Sequence, residues 1–259
     1  MNFLYNNVIF FLLIFLRLSG ILFFTPVYSS NSINRRVKIG FLILIAFLIY
    51  PVVPKDISIL RNLTFFNLIL ISIKEVLIGA IIGFFVLLIF STVQTASQIY
   101  SMDMGFGMVN IFDPVSQIQA PVLGQLNYLF ILGIFLITGE YRRIFEVLVS
   151  TFYKYKIGNI SYHYGTLAKN MADSFAYYFM VSVKIALPVL GILFIVDVTL
   201  GVMARIAPQM NVFFIGMPLK ILVGLLFLIT FIPYLFTYLN HLLNNGYIKL
   251  LYIIQKVVT

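Results

Sequence analysis

The chain contains no cysteine and no tryptophan, and its only histidines are His163 and His241. The lack of cysteine excludes disulfides, cysteine-bound iron–sulfur clusters and thiol catalysis. Two imidazoles without a thiolate do not supply the ligands of a usual zinc site. Charged residues are also scarce, at 10% of the 259 residues. We therefore expect no metal and no cofactor.

Hydrophobic residues make up 62% of the chain and recur in runs along its whole length. This composition predicts a polytopic membrane protein, organised as a single domain over residues 1–259. The formal net charge of +9 is then interpreted as cytoplasmic loops and contact with anionic membrane lipid. A nucleic-acid partner is not expected, because no soluble module with a basic, aromatic-rich patch is present.

Six hydrophobic runs are expected to form helices. A bilayer crossing needs roughly 20 apolar residues, so the second and fourth runs are marginal. The first run is interpreted as a retained span, because Arg17 interrupts it and no small-residue cleavage site follows. The runs lie at 8–25, 39–53, 65–90, 122–138, 175–200 and 212–239.

The basic residues conflict with a simple six-span topology. Placing 91–121 outside and 139–170 inside puts both termini in the cytoplasm. The dense basic cluster of Arg35, Arg36 and Lys38 then falls outside, against the positive-inside rule. Either the early segments do not cross, or assembly with partner chains overrides the rule. The short, proline-ended run 39–53 favours assembly.

Several charged residues stand inside the hydrophobic runs. A lone charge at the bilayer centre costs about 2.5 kcal/mol or more, so each needs a partner, water or a route to the interface. Lysines near segment ends can extend to the interface, whereas Glu75 and Asp197 are too short to reach far and are expected in a buried pair or a solvated cavity. The predicted buried charges are Arg17, Lys74, Glu75, Lys184 and Asp197.

A proline-bracketed turn at 208–220 separates the last two runs. Pro208 is expected to end the preceding helix, Asn211 to bond freed backbone groups, and Pro218 to lie in a first helical turn. Irregular backbone beside Lys220 near membrane depth requires surrounding protein or a water-filled cavity. The turn therefore predicts a surface packed against other polypeptide, with an ordinary connecting loop as the alternative.

Small residues predict close helix contacts. Gly79 and Gly83 form a G-x-x-x-G step that permits close backbone approach, although the spacing does not identify the neighbouring chain. Together with the turn, these positions make up the predicted subunit interface. Its residues are Gly79, Gly83, Pro208, Gln209, Asn211, Phe213, Gly216, Pro218 and Lys220.

The segment 102–108 alternates large apolar residues with small or acidic ones. A period of two predicts an extended strand with Met102, Met104, Phe106 and Met108 on one face. Glycines between them allow the backbone to bend, and methionine can repack when something moves past it. The pattern is typical of a movable seal. A loop packed permanently against its own helices is the alternative.

These motifs, in this order, resemble the FliR family of flagellar export-gate proteins and its type III secretion relatives. The residues that carry the resemblance are Arg17-Leu18-Ser19-Gly20 with Pro26, Arg36-Val37-Lys38, Glu75-Val76-Leu77-Ile78-Gly79 with Gly83-Phe84, Met104-Gly105-Phe106-Gly107-Met108 with Asp113-Pro114, Ala186-Leu187-Pro188, and the 208–220 turn. The stretch 154–171 matches no family pattern, so no role is assigned to it.

The resemblance implies an all-helical (all-α) fold of bent hairpins that assemble with FliP-like and FliQ-like subunits into a conical pore in the bacterial inner membrane. The pore would lie at the flagellar basal body or a related secretion apparatus, among other export-apparatus membrane proteins. The resemblance also implies that the loop 101–121 acts as a plug. The implied plug residues are Met102, Met104, Gly105, Phe106, Gly107, Met108, Asp113 and Pro114.

The predicted function is a non-enzymatic subunit of a protein-export gate that passes unfolded proteins. Energy would come from partners, because the chain has no G-x-x-x-x-G-K-[ST] nucleotide loop. The alternative is a secondary transporter or ion channel in which Glu75, Lys184 and Asp197 relay protons. Flagellar and secretion-needle systems remain equally compatible with the sequence.

Overall fold

The structure, a computed structural model, describes residues 2–25, 28, 33–54, 64–106, 122–158 and 163–257. All regular secondary structure within these ranges is helical, which confirms the predicted class. The helices are α1 (Asn2–Phe24), α2 (Arg35–Ile49), α3 (Phe65–Asp103), α4 (Val122–Ile137), α5 (Glu140–Lys154), α6 (Tyr164–Ile206) and α7 (Val212–Val257).

Within the described ranges, four helices are long and apolar enough to cross a membrane, namely α1, α3, α6 and α7. A fifth crossing arises if α4 and α5, which are joined through a bend, form one broken span. At 15 residues α2 does not reach the length of a span, in agreement with the short run predicted there.

Three helices are much longer than a bilayer crossing requires. The 39, 43 and 46 residues of α3, α6 and α7 correspond to about 58, 64 and 69 Å at a rise of about 1.5 Å per residue. The hydrocarbon core of a bilayer is about 30 Å thick. Each of these helices is therefore longer than the lipid core is thick, and a simple count of crossings does not describe them.

Two helix boundaries differ from the sequence prediction. The third run was expected to end at residue 90, yet α3 continues to Asp103. Residues 139–170 were expected to be a linker, yet they contain the amphipathic helix α5. In both places the polar residues are compatible with a helix, and no proline interrupts them, so the loss of hydrophobicity marks a change of surroundings rather than a helix end.

One compact unit consists of Met1–Leu88, Leu136–Asp173 and Leu243–Thr259. Its buried side chains come from α1 (Leu13, Ile14), α3 (Ile82), α5 (Leu148) and the end of α7 (Ile254). The Tyr155 hydroxyl donates to the Ile254 carbonyl at 3.1 Å, which connects the segment after α5 to the end of α7. This unit holds the N-terminal helix and the polar helix in one packed body.

The second unit consists of Ile89–Phe135 and Ser174–Leu242. Its core includes Tyr100 and Met104 of α3 and Val189 of α6. The buried Tyr100 hydroxyl donates to Ser97 and accepts a bond from the Asn127 side chain, so the polar groups of this core are paired. In the most apolar 18-residue stretch of α7, only 11% of the residues are buried within the chain. This apolar stretch of α7 is therefore largely uncovered by the rest of the chain.

Candidate functional site

A buried ion pair joins α1 to α3 in the first unit. Arg17 Nε donates to Glu75 Oε2 at 2.7 Å, and both side chains are 0% exposed. The two residues were predicted to be buried charges, and Glu75 was expected in a buried pair. A guanidinium so close to a carboxylate neutralises both charges where neither contacts water.

The remaining polar atoms of this pair are also bonded. Arg17 donates through Nη1 to the Thr151 hydroxyl at 3.1 Å and through Nη2 to the Tyr155 carbonyl at 3.4 Å. The second Glu75 oxygen accepts from the Gly158 amide at 3.1 Å. The guanidinium also lies 4.1 Å from the centroid of the Phe152 ring, a cation–π contact. This set of contacts, here called the Arg17 cluster, connects α1, α3, α5 and the residues after α5.

The segment after α5 reaches the Arg17 cluster through backbone groups, which no side-chain pattern can reveal. Burial raises the pKa of the Tyr155 hydroxyl above its usual value. The hydroxyl therefore stays protonated and donates to the Ile254 carbonyl. No role was assigned to 154–171 from its residues, yet the Tyr155 carbonyl accepts a hydrogen bond from the buried arginine and the Gly158 amide donates to its partner Glu75.

Glycines allow α1 and α3 to meet backbone to backbone. A Cβ placed on Gly79 would lie 2.0 Å from the Arg17 carbonyl oxygen, and one on Gly83 would lie 2.7 Å from that of Ile21. A Cβ on Gly20 would lie 2.4 Å from the Val76 oxygen. The prediction that Gly79 and Gly83 belong to a subunit interface is therefore wrong, because α1 of the same chain covers them.

A second charged group, here called the Lys220 cluster, lies within the second unit. Lys220 Nζ lies 2.6 Å from Asp197 Oδ1 and 3.9 Å from Asp103 Oδ1, and it donates to the Asp103 carbonyl at 3.4 Å. Lys220 is 18% exposed, whereas Asp197 is 43% and Asp103 37% exposed. Two carboxylates thus share one ammonium group, which leaves one negative charge in excess.

The Lys220 cluster lies at one side of an open cleft of about 500 Å³ in the second unit. The walls are mainly apolar, from Met102, Leu200, Phe213 and Met217. Solvation of the excess carboxylate in such a cleft depends on water or on an approaching cation. The cleft contains residues of the 208–220 turn and of the segment 102–108, here called the methionine segment. The sequence analysis described these two segments as separate features.

The methionine segment is not a strand where the structure describes it. Met102 and Asp103 end α3, the Met104 amide donates to the Tyr100 carbonyl at 2.9 Å, and the Gly105 amide donates to the Met102 carbonyl at 3.1 Å. Gly105 has a φ of +96°, a left-handed value that ends a helix and that glycine adopts without strain. The alternating large and small residues therefore lie at the C-terminal end of a helix and not in a strand.

The two methionines of this segment have opposite environments. Met102 is 71% exposed, whereas Met104 is 0% exposed. A Cβ on Gly224 of α7 would lie 2.5 Å from the Met104 methyl carbon, so the missing side chain of Gly224 makes room for Met104. Met104 is thus a core residue of this unit and not part of an exposed seal. Phe106 is half-buried, and the plug residues Gly107, Met108, Asp113 and Pro114 lie outside the described residues.

The 208–220 turn is partly as predicted. The α6 helix ends at Ile206, directly before the Pro208 turn, and the Phe214 amide donates to the Asn211 carbonyl at 3.1 Å. The placement of Pro218 in a first helical turn is wrong, because α7 already begins at Val212. The earlier start follows from Asn211, which stands directly before the first helical residue, a position that favours asparagine.

The surface of the turn is divided between the chain and its surroundings. Gly216 is buried, and a Cβ there would lie 2.9 Å from a Leu200 methyl group, so this residue packs against its own chain. The other predicted interface residues of the turn are exposed, apart from half-buried Lys220. The exposed residues are Pro208, Gln209, Asn211, Phe213 and Pro218.

Three of the predicted buried charges are not fully buried within the chain. Lys184 is exposed on α6 within the single chain, so its burial stays a prediction for the assembled protein. Lys74 is half-buried, as is Asp197. Because helix periodicity does not show which face another chain or lipid covers, the sequence could not separate these residues from the fully buried Arg17 and Glu75.

Taken together, long apolar helices with internally neutralised charges define an all-helical integral membrane protein. The chain matches the family model described as bacterial export proteins, family 1, over residues 8–246, and it belongs to that family. This match confirms the family resemblance found in the sequence motifs. The chain is accordingly a component of the flagellar export apparatus in the bacterial inner membrane.

Relatives from distant bacteria match nearly the whole chain, and each is described as "Flagellar biosynthetic protein FliR". The chain is 30% identical to that of Escherichia coli (strain K12) over 244 residues, or 93% of this chain and 91% of the relative. It is 28% identical to that of Bacillus subtilis (strain 168) over 236 residues, or 90% of each protein. It is 28% identical to that of Aquifex aeolicus (strain VF5) over 232 residues, or 89% and 88%.

Proposed function

We propose that this chain is a non-enzymatic subunit of the gate through which unfolded flagellar proteins leave the cytoplasm. Family membership over residues 8–246 supports a place in the export apparatus. The gate role is supported by the position of the Lys220 cluster. The cluster holds Asp103, near the start of the segment 101–121 that the resemblance implies is a plug.

Lys220 is the observation that carries the proposal. Its ammonium group contacts both the carboxylate and the carbonyl of Asp103, the last residue of α3. It also contacts Asp197 of α6. One lysine therefore fixes the start of the proposed plug to α6 and α7. Loss of the lysine would free the start of the plug and leave two carboxylates to repel each other.

Partner subunits would cover the apolar surface that the chain leaves exposed. Only 11% of the residues in the most apolar stretch of α7 are buried, and side chains such as Phe214 and Ile229 are largely exposed. The exposed turn residues Gln209 and Asn211 lie at the N-terminal end of the same helix. We propose that FliP-like and FliQ-like subunits pack on this surface. Lipid alone would not satisfy the polar groups of the turn.

Conductance of the purified complex tests the gate role. Lys220→Gln should make planar bilayers containing the complex leak ions, whereas Lys220→Arg should stay tight because the cation is kept. Lys184→Gln is the matched control, since Lys184 is an exposed lysine of α6. If the Lys220→Gln complex assembles and is as tight as the control, Lys220 does not hold a gate.

Mass measurement of the intact complex in mild detergent tests the partners separately. A mixed assembly with FliP-like and FliQ-like chains is expected. A folded homo-oligomer that transports a small solute would refute the proposed role. No observation favours the alternative proton relay, because Glu75 is paired with Arg17 and Asp197 with Lys220.

A further inference from the structure

The cleft beside the Lys220 cluster has a surplus negative charge. Lys220 Nζ lies 2.6 Å from Asp197 Oδ1 but 3.9 Å from Asp103 Oδ1. The ammonium group therefore neutralises mainly Asp197, because attraction between charges falls with distance. Asp103 keeps most of the surplus charge, and its side chain is 37% exposed. Another charged group can therefore still reach the Asp103 carboxylate.

The walls around this carboxylate are mainly apolar and adaptable. Two of the side chains that form them are Met102 and Met217, and methionine adjusts its shape to a bound group. The volume of about 500 Å³ lies within the range of binding pockets, about 300 to 1,000 Å³. A hydrated ion would use the carboxylate but not the apolar walls. An occupant with an apolar body and a positive end would use both.

The position of the cleft indicates where such an occupant comes from. Val212 and Phe213, the first two residues of α7, line the cleft. Phe213 is 55% exposed, and the next residue, Phe214, is 74% exposed. Phe213 therefore belongs both to the cleft wall and to the exposed surface of α7 on which partner subunits are proposed to pack.

We propose that the cleft receives a lysine or arginine side chain of a partner subunit. Both side chains consist of an apolar stem that ends in a cation. The stem would lie against Met102 and Met217, and the cation would contact Asp103. Two carboxylates and two cations would then balance in the assembled cleft. The inference rests on the proposed function, because the occupant is a subunit of the assembled gate.

Photo-crosslinking in the purified complex identifies the occupant. The chain has no cysteine of its own, so Met102→Cys can carry a single benzophenone. The Met102 side chain lines the cleft and is 71% exposed. Illumination should join residue 102 to a peptide of another subunit that contains lysine or arginine. Thr199→Cys, at an exposed position of α6 outside the cleft lining, is the reference site and should not give this product.

Other products of this experiment would overturn the inference. These are products within the chain alone, adducts with lipid or detergent alone, or a partner peptide without a basic residue. If the complex has the expected mixed composition, such a result leaves the proposed function intact. If no mixed assembly forms, the inference and the proposed function fail together.

Charge variants then test the role of the surplus carboxylate. Asp103→Asn should shorten the lifetime of the complex in detergent roughly threefold to tenfold, since it removes the counter-charge of the partner's cation. Lys220→Gln should leave the lifetime unchanged or lengthen it, because two carboxylates are then available to that cation. Glu146→Gln, which removes an exposed carboxylate of α5, is the control and should change the lifetime by less than about twofold.

The two cleft variants are informative because a purely internal role predicts the same sign for both. If Asp103→Asn and Lys220→Gln shorten the lifetime equally, the cluster only holds the helices of its own chain, and the inference is overturned. An Asp103→Asn complex that lasts as long as the Glu146→Gln control would overturn it as well.

Discussion

Arg17 of α1 and Glu75 of α3 are 58 residues apart in the sequence, yet their side chains meet at 2.7 Å with no exposed surface. Removal of one partner would leave a charge buried without compensation, which costs far more than the pair itself contributes. Replacement of one of the two residues should therefore lower the stability of the chain more than replacement of both.

Glu75→Gln should destabilise the chain by about 3 to 5 kcal/mol, because it leaves Arg17 buried with an uncompensated charge. Thermal unfolding of the purified complex measures the effect. Lys74→Gln is the control, since its half-buried side chain is the direct neighbour on α3. The double variant Arg17→Met with Glu75→Leu should recover part of the loss, because neither charge is then buried. Equal melting temperatures for Glu75→Gln and Lys74→Gln would contradict this account.

Gly79→Ala should lower stability by about 1 to 3 kcal/mol, because overpacking forces backbone shifts of that cost. The new Cβ would lie 2.0 Å from the Arg17 carbonyl oxygen, so α1 must move. Gly191→Ala on α6 is the matched control, since a Cβ there has nothing within 4 Å. The control should be neutral or stabilising by up to about 1 kcal/mol. Complex yield and melting temperature should separate the two; similar values would mean that α1 and α3 do not meet backbone to backbone.

Met104→Ala and Met102→Ala should have different effects despite the similar motif. Truncation of the fully buried Met104 leaves a cavity beside Gly224 and should cost about 2 to 5 kcal/mol. Met102→Ala changes an exposed side chain and should alter stability by less than about 0.5 kcal/mol. Denaturation curves of the two variants decide the matter. A stable Met104→Ala complex that leaks ions would restore Met104 to the seal.

Gly105→Val should cost about 1 to 3 kcal/mol, because a branched side chain resists the left-handed conformation at φ +96°. Space is not the obstacle, since a Cβ would lie 3.8 Å from the nearest atom of Met217. Gly105→Asn should cost less, because asparagine tolerates this conformation. Protein export in cells and melting of the complex should follow the order Gly, Asn, Val. An equal loss for Asn and Val would show that a requirement other than backbone conformation acts at this residue.

Local sequence signals predicted the helices but not their partners. Hydrophobic runs located the apolar part of every long helix, and Pro208 marked the break before α7. The helix α5 was missed, although Val147, Leu148, Thr151 and Phe152 have helical spacing and could have revealed it. Contacts such as Lys220 with Asp103, 117 residues apart, depend on how distant segments fold together. Periodicity carries no information about such contacts.

The methionine segment shows why a short pattern can mislead. Its alternation fits a strand and a helix end equally over a few residues, and the decisive information is in residues far away. Gly224 provides the space for Met104, and Lys220 holds Asp103. Tertiary contacts therefore determine the conformation here, because the local pattern is compatible with both a strand and a helix end.

The contacts of the Arg17 cluster can form only in a fixed order while the protein is being synthesised. A ribosome adds roughly 5 to 20 residues per second, so Arg17 exists for about 3 to 12 s before Glu75, 58 residues later, has been made. The other two acceptors of the guanidinium, the Thr151 hydroxyl and the Tyr155 carbonyl, follow 134 and 138 residues after Arg17. During synthesis the first helix therefore carries a cation that has no partner yet. The full set of contacts around its guanidinium can form only after more than half of the protein has been translated.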